Sequence, residues 1–119
     1  RCVGLGRYLG HPQPAAGHPP MKALDGLDPV FEHRARLAIS VLLARHGEIS
    51  FARFKQQLEL TDGNLGAQLR KLEDAGCIDL RRDFVDRKPV TWYRLTDEGR
   101  KALERHLAAL QALIATAEG

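Results

Sequence analysis

The sequence predicts a mainly α-helical domain with a small antiparallel sheet, on three observations. Between residues 28 and 76, apolar residues recur at three- and four-residue spacing, in three segments opened by Asp, Ser or Thr, the first and third closed by Gly. After Gly76 the period drops to two, in a pair of runs either side of a polar turn. From Thr96 the helical period returns and runs almost to the end of the chain.

The first helix is expected to open at Asp28-Pro29. Asp is a good N-cap, and Pro suits the first helical position because its missing N–H would have no partner there. Phe31, Ala35, Ala38, Ile39, Leu42 and Leu43 form one apolar stripe; Val30, Leu37 and Val41 form a second. Gly47 supplies the stop. Two apolar faces imply two packing partners, the domain's own core and another surface. Glu48-Ile49-Ser50 reads as a short extended piece. Ser50 caps a second helix, Phe51 to about Leu58, with Phe51, Phe54 and Leu58 on one face. Thr61 caps a third, Asp62 to Ala75, which stops at Gly76 and carries the stripe Leu65, Leu69 and Leu72. Asp62 lies in its first turn, where the helix dipole favours a carboxylate.

Beyond Gly76, Ile78, Leu80 and Phe84 alternate with Asp79, Arg81 and Asp83, Arg82 being the exception. Thr91, Tyr93 and Leu95 oppose Trp92 and Arg94, and Asp86-Arg87-Lys88-Pro89 reads as the turn of a β-hairpin. Thr96-Asp97-Glu98 opens a fourth helix. There Leu103, Leu107, Leu110 and Ile114 repeat at 4-3-4 spacing, a seam for another helix. The second and third helices make a helix-turn-helix, and the hairpin that follows is a wing, with Glu48–Ser50 as its third strand. The expected architecture is a winged helix-turn-helix over residues 24–119, with a long C-terminal dimerisation helix over 97–116. Residues 1–23 are expected to be a disordered extension, since the first twenty hold four Gly, four Pro and no apolar period. Met21, the sole methionine, reads either as the natural start or as the residue after a genuine arm.

At 119 residues, 44% hydrophobic and 28% charged, the chain amounts to one domain and has the composition of neither a disordered nor a membrane protein. Its longest apolar run, Leu37 to Ala44, is interrupted by Ser40, whereas a membrane-spanning helix needs about 20 apolar residues. Two cysteines, Cys2 and Cys77, exclude a disulfide framework and a cysteine-rich zinc site, and fit a cytoplasmic protein. Cys77 is expected in the core. His33, His46 and His106 share no ligand spacing, so no metal site is expected. No HExxH, P-loop, GxSxG or CxxC motif occurs, so neither enzymatic activity nor a cofactor is expected. The net charge is +3, and the hairpin from Arg81 to Arg94 alone matches it. It sets Arg81, Arg82, Arg87, Lys88 and Arg94 against Asp83 and Asp86.

Three stretches carry a resemblance. They are Leu58-Glu59-Leu60-Thr61-Asp62-Gly63-Asn64-Leu65, then Leu69-Arg70-Lys71-Leu72-Glu73-Asp74-Ala75-Gly76, then Thr91-Trp92-Tyr93-Arg94-Leu95-Thr96-Asp97-Glu98-Gly99. In that order, with a wing between, they resemble small winged-helix transcriptional regulators of the broad MarR- and ArsR-like group, over about residues 24–115. The resemblance implies a cytoplasmic homodimer that binds double-stranded DNA and acts as a repressor. It is compatible with a small-molecule effector. Where relatives often carry a small hydroxyl and then a longer polar side chain, this chain has Gly66 and Ala67, which removes base contacts.

With Leu65, Leu69 and Leu72 inward, Asn64, Gln68 and Lys71 form a line beside them, and Gly63, Ala67 and Arg70 the next. The expected DNA-binding residues are Thr61, Gly63, Asn64, Ala67, Gln68, Arg70 and Lys71 of the recognition helix, and Arg81, Arg87 and Lys88 of the wing. Asn64 and Gln68 suit base edges, while Arg70 and Lys71 suit guanine or phosphate. Gly63 and the first helical amides suit a phosphate. Arg87 and Lys88, at the wing tip, suit the backbone near a minor groove. Cross-strand pairing with Asp79 or Asp83 is the alternative for Arg81 and Arg82. Trp92 is expected to pad the outer hairpin face beneath the arginines or to pack on a partner. The expected dimer residues are Val30, Leu37, Val41, Leu103, Leu107, Leu110 and Ile114; the alternative is a last helix folded back on its own domain. The rival function is a protein–protein interaction module without specific DNA binding, because fold does not fix function.

Overall fold

A computed structural model describes residues 21–118. In chain order the elements are α1 (Met21–Leu24), a 3₁₀ turn (Pro29–Phe31), α2 (Arg34–His46), β1 (Ile49–Ser50), α3 (Phe51–Leu58), α4 (Asp62–Asp74), β2 (Ile78–Val85), β3 (Lys88–Leu95) and α5 (Asp97–Glu118). The three strands form one antiparallel sheet in the order β1-β3-β2. This is the mainly helical architecture with a small sheet and a long last helix that the sequence predicts. Two compact units are distinguished: Pro29–Arg100, and residues 21–28 with 101–118.

The first unit holds the helix-turn-helix and the wing. Phe31, Ile39, Leu43, Ile49, Phe54, Leu65, Leu72 and Ile78 are buried there, each worth about 1.5–3 kcal/mol of transfer free energy. Phe54 of α3 meets Tyr93 of β3 with ring centroids 6.3 Å apart and a 58° tilt, a favoured aromatic geometry. The helix starts follow the sequence signals. The Ser50 hydroxyl accepts from Arg53 N–H at 3.2 Å, and the Thr61 hydroxyl accepts from Asn64 N–H at 3.2 Å. Each such cap contributes about 1 kcal/mol. At the end of α4, Gly76 (φ 77°) donates to the Glu73 carbonyl at 2.9 Å and Cys77 N–H donates to the Leu72 carbonyl at 2.9 Å. This paired closure needs a left-handed residue at position 76, which explains the glycine. Cys77 is buried, as expected of it.

The start of the first long helix differs from the expectation. Pro29 opens a single 3₁₀ turn, and α2 begins only at Arg34, where the His33 ring accepts from Ala35 N–H at 3.1 Å. The connection between the strands is also tighter than the four residues expected. Val85 pairs with Lys88, leaving Asp86 and Arg87 as a two-residue turn. Pro89 therefore lies within β3, the central strand. It is tolerated because β1 pairs only with Trp92 and Tyr93 and leaves the outer half of β3 as one side of a ribbon. Phe84, expected on the inward face, is 72% exposed, since the hairpin runs out past the core.

In the second unit, the backbone N–H of Asp28 donates to His106 Nδ1 at 3.0 Å. The backbone of Asp28 is thus tied to a histidine, and the turn that follows it is 3₁₀ rather than the start of the long helix. His106 is buried, not displayed on the surface. The close approach at Gly26 fits the same picture, since a Cβ there would lie 2.7 Å from the Arg105 carbonyl oxygen. Met21–Leu24 forms one helical turn, inside the stretch expected to be disordered. Residues 1–20, the rest of that expected extension, lie outside the described residues. α5 runs two residues past the expected Thr116.

Candidate nucleic-acid interface

The α4 helix presents two unlike faces. Leu65, Leu69 and Leu72 are buried, while Thr61, Asp62, Gly63, Asn64, Ala67, Arg70 and Lys71 are exposed. The exposed set begins at the helix N-terminus, where unpaired amides and the dipole favour an anion. An ion pair between Lys55 of α3 and Asp62 links the two helices of the helix-turn-helix at this end. A Cβ built at Gly63 or Gly66 would meet nothing within 4 Å. No steric demand of the fold therefore requires glycine at either position, and the helix surface is flat there.

Gln68 departs from the expected exposed line. It is 8% exposed, and its Oε1 accepts from Arg36 Nη1 at 2.7 Å while its Nε2 donates to Asn64 Oδ1 at 3.3 Å. Three leucines do not fill the inward stripe by themselves; Gln68 joins them, and its polarity is met by an arginine from α2. Arg36 is not among the expected site residues. Nothing local marks it out, because its partner is 32 positions away. Arg36 also donates from Nε to the Val30 carbonyl at 2.7 Å.

On the wing, Arg81 is engaged by carboxylates, with Asp83 as one of the pairing partners the sequence allows. Its Nε and Nη2 donate to the two oxygens of Glu48 at 2.9 and 3.0 Å, and its Nη1 donates to Asp83 at 3.0 Å. The guanidinium lies 5.6 Å from the centre of the Trp92 ring. Trp92 thus pads the outer face beneath an arginine, one of its two expected roles. The Arg81 hydrogen bonds hold the Glu48 carboxyl below its usual range. Asp83 is lowered first by the Phe84 N–H and then by Arg81. Arg81 is raised in turn, chiefly by Glu48. Glu48 was not foreseen, since only the β1–β3 pairing brings residue 48 alongside the hairpin.

Arg82 faces the opposite side from Arg81. Burial pushes the Tyr93 phenol up, with Glu73 adding to the rise and Arg82 opposing it. At the tip, Arg87 and Lys88 are exposed and form no ion pair among the described residues. The wing's cations are thus divided. Arg81 is neutralised by carboxylates, and Arg87 with Lys88 is left as a basic point.

A family model described as a winged helix DNA-binding domain matches residues 35–114. The chain belongs to this family. A transcriptional regulator homologue from Pyrococcus horikoshii OT3 superposes with a TM-score of 0.74 at 28% identity, over 83% of this chain and 97% of that one. An uncharacterized protein of Methanocaldococcus jannaschii is 31% identical over 78 residues, which is 66% of this chain and 85% of the other. Apo MarR from E. coli shares the fold at a TM-score of 0.61 and 22% identity, over 78% of this chain and 70% of that one. In this winged-helix protein α4 is the second helix of the helix-turn-helix and β2–β3 the wing. No helix among the described residues is long and apolar enough to cross a membrane.

Of the residues expected at a dimer seam, Leu103 is 2% exposed in the single chain, with Ala102, His106 and Ala109 buried alongside it on α5. The buried stripe is rotated from the expected one. Leu107 and Leu110 are half-buried, Ile114 is 49% exposed and Val41 on α2 is 41% exposed. Val30 and Leu37 are half-buried.

Proposed function

We propose that this protein is a cytoplasmic transcriptional repressor that binds a specific double-stranded DNA sequence as a homodimer. The recognition helix enters the major groove and the wing lies along the phosphates beside the minor groove. The observation that carries the reading is the pairing of an exposed α4 face with an unneutralised basic wing tip, Arg87 and Lys88. Thr61, Gly63 and the first amides of α4 meet a phosphate; Asn64 meets a base edge across the flat surface around Ala67; Arg70 and Lys71 meet guanine or phosphate. Arg81 is a wing brace rather than a DNA contact. Leu107, Leu110 and Ile114 of α5, with Val41 of α2, supply apolar surface for the twofold mate. Two recognition helices then address half-sites about one DNA turn, roughly 34 Å, apart.

The similarity to a transcriptional regulator homologue at 28% identity supports the regulatory role. The test is a mobility-shift titration on nonspecific duplex at several salt concentrations. Binding that weakens steeply with salt is expected. Absence of binding at low salt would favour the protein–protein interaction module.

A further inference from the structure

The hydrogen bonds from α2 to the exposed face of α4 run in one direction, and that direction has a consequence for sequence reading. Arg36 Nε donates to the Val30 carbonyl at 2.7 Å, which fixes the guanidinium. Its Nη1 donates to Gln68 Oε1 at 2.7 Å. Gln68 Nε2 donates to Asn64 Oδ1 at 3.3 Å. An arginine has donors only, so the end of the Gln68 amide that faces it must be the oxygen. Gln68 then has only its NH₂ to offer to Asn64, and Asn64 must answer with its oxygen. At 8% exposure Gln68 has little water with which to exchange these partners. The Asn64 amide is the exposed end of the relay.

We infer that Arg36 and Gln68 are positioning residues that fix the polarity of the Asn64 amide, turning its NH₂ outward as a hydrogen-bond donor to an acceptor on a base edge. The acceptors within the major groove are purine N7, guanine O6 and thymine O4; guanine alone offers two adjacent ones. The relay therefore favours guanine at the base pair beneath Asn64. This rests on the proposal that α4 reads the major groove.

The direction of the relay can be reversed without changing its length. In Gln68→Glu, one carboxylate oxygen still accepts from Arg36, and the other must accept from Asn64. The Asn64 amide then turns over and presents its oxygen, which accepts from cytosine N4 or adenine N6. Asn64→Asp reaches the same end by another route. Gln68 Nε2 still donates to the nearer carboxylate oxygen of residue 64, and the outward oxygen is again an acceptor. Asn64 is exposed, so this variant does not disturb the core.

The experiment is selection of bound sequences from random duplex DNA with the full chain, in parallel for the natural sequence, Gln68→Glu and Asn64→Asp, with thermal unfolding of each. The natural sequence is expected to select guanine at one position of each half-site. Both variants are expected to move that position, and no other, to cytosine or adenine by about tenfold. Arg36→Met, which leaves Gln68 free to turn, is expected to relax the same position. A merely structural role for the relay would lower affinity on all sequences and leave the preference unchanged. Unchanged preference in both substituted proteins overturns the inference while leaving DNA reading intact. Selection of no motif by the natural sequence overturns the functional proposal itself.

Discussion

The wing tip makes a prediction in which stability and binding move in opposite directions. Asp86 and Arg87 form the two-residue turn between β2 and β3, with φ of 53° and 67°. Such turns require left-handed backbone at both central positions and favour Asn-Gly or Asp-Gly. Asp tolerates that conformation, but at Arg87 the Cβ costs about 1–2 kcal/mol. Arg87→Gly removes this strain. The greater freedom of glycine in the unfolded chain returns about 0.5–1 kcal/mol of it. The net gain is about 0–1.5 kcal/mol, centred near 0.75, which corresponds to roughly 3–6 °C in Tm for a domain of this size. The same change removes one exposed cation from each protomer. If Arg87 neutralises a phosphate, the slope of log K against log salt falls by about 0.9 per protomer. Raising salt fourfold then weakens binding about 3.5-fold less per protomer than it does for the natural protein. Thermal unfolding by circular dichroism and fluorescence anisotropy on a labelled duplex at several salt concentrations measure the two effects. A lower Tm would refute the strain argument, and an unchanged salt slope would refute the placement of Arg87 on DNA.

Gly99→Ala is expected to destabilise by about 2–3 kcal/mol although alanine is the better helix former, because its Cβ would fall 2.0 Å from the Cys77 carbonyl oxygen; urea unfolding gives the sign. The Glu48 and Asp83 carboxyls are lowered from their ordinary values of 4.5 and 3.8, so the unfolded chain binds the more protons as pH falls through that range. Their contribution is complete above about pH 4.5 and is lost below it, and Arg81→Met should therefore shrink the stability gap between pH 6 and pH 3 in parallel unfolding curves. Replacing Leu107 and Leu110 with glutamate is expected to give a monomer by light scattering, and a persistent dimer would place the interface elsewhere.

Much of the fold was legible because its signals are local. Ser50 and Thr61 read as caps and act as caps, Gly76 reads as a stop and takes a left-handed φ, and the change of period after it marks the sheet. The weaker signal was at Asp28-Pro29, where a 3₁₀ turn stands in place of the start of the long helix and the Asp28 N–H bonds His106, 78 positions away. The candidate site was less legible for the same reason. Helical spacing places Asn64, Gln68 and Lys71 on one line, but it does not reveal that Arg36 satisfies a buried Gln68. Counting wing charges gave +3 without revealing that Glu48 occupies Arg81. Phe84 fits the alternation of its strand yet lies beyond the reach of the core. In each case a long-range partner decided what a side chain was free to do.

The central claim is that the exposed face of α4 and the tip of the wing read DNA as a twofold pair. Selection of bound sequences by the natural protein tests it most directly. Enrichment of an inverted repeat whose half-site centres lie about 10 base pairs apart, one turn of the duplex, is expected. Recovery of unenriched sequence at all salt concentrations would contradict it.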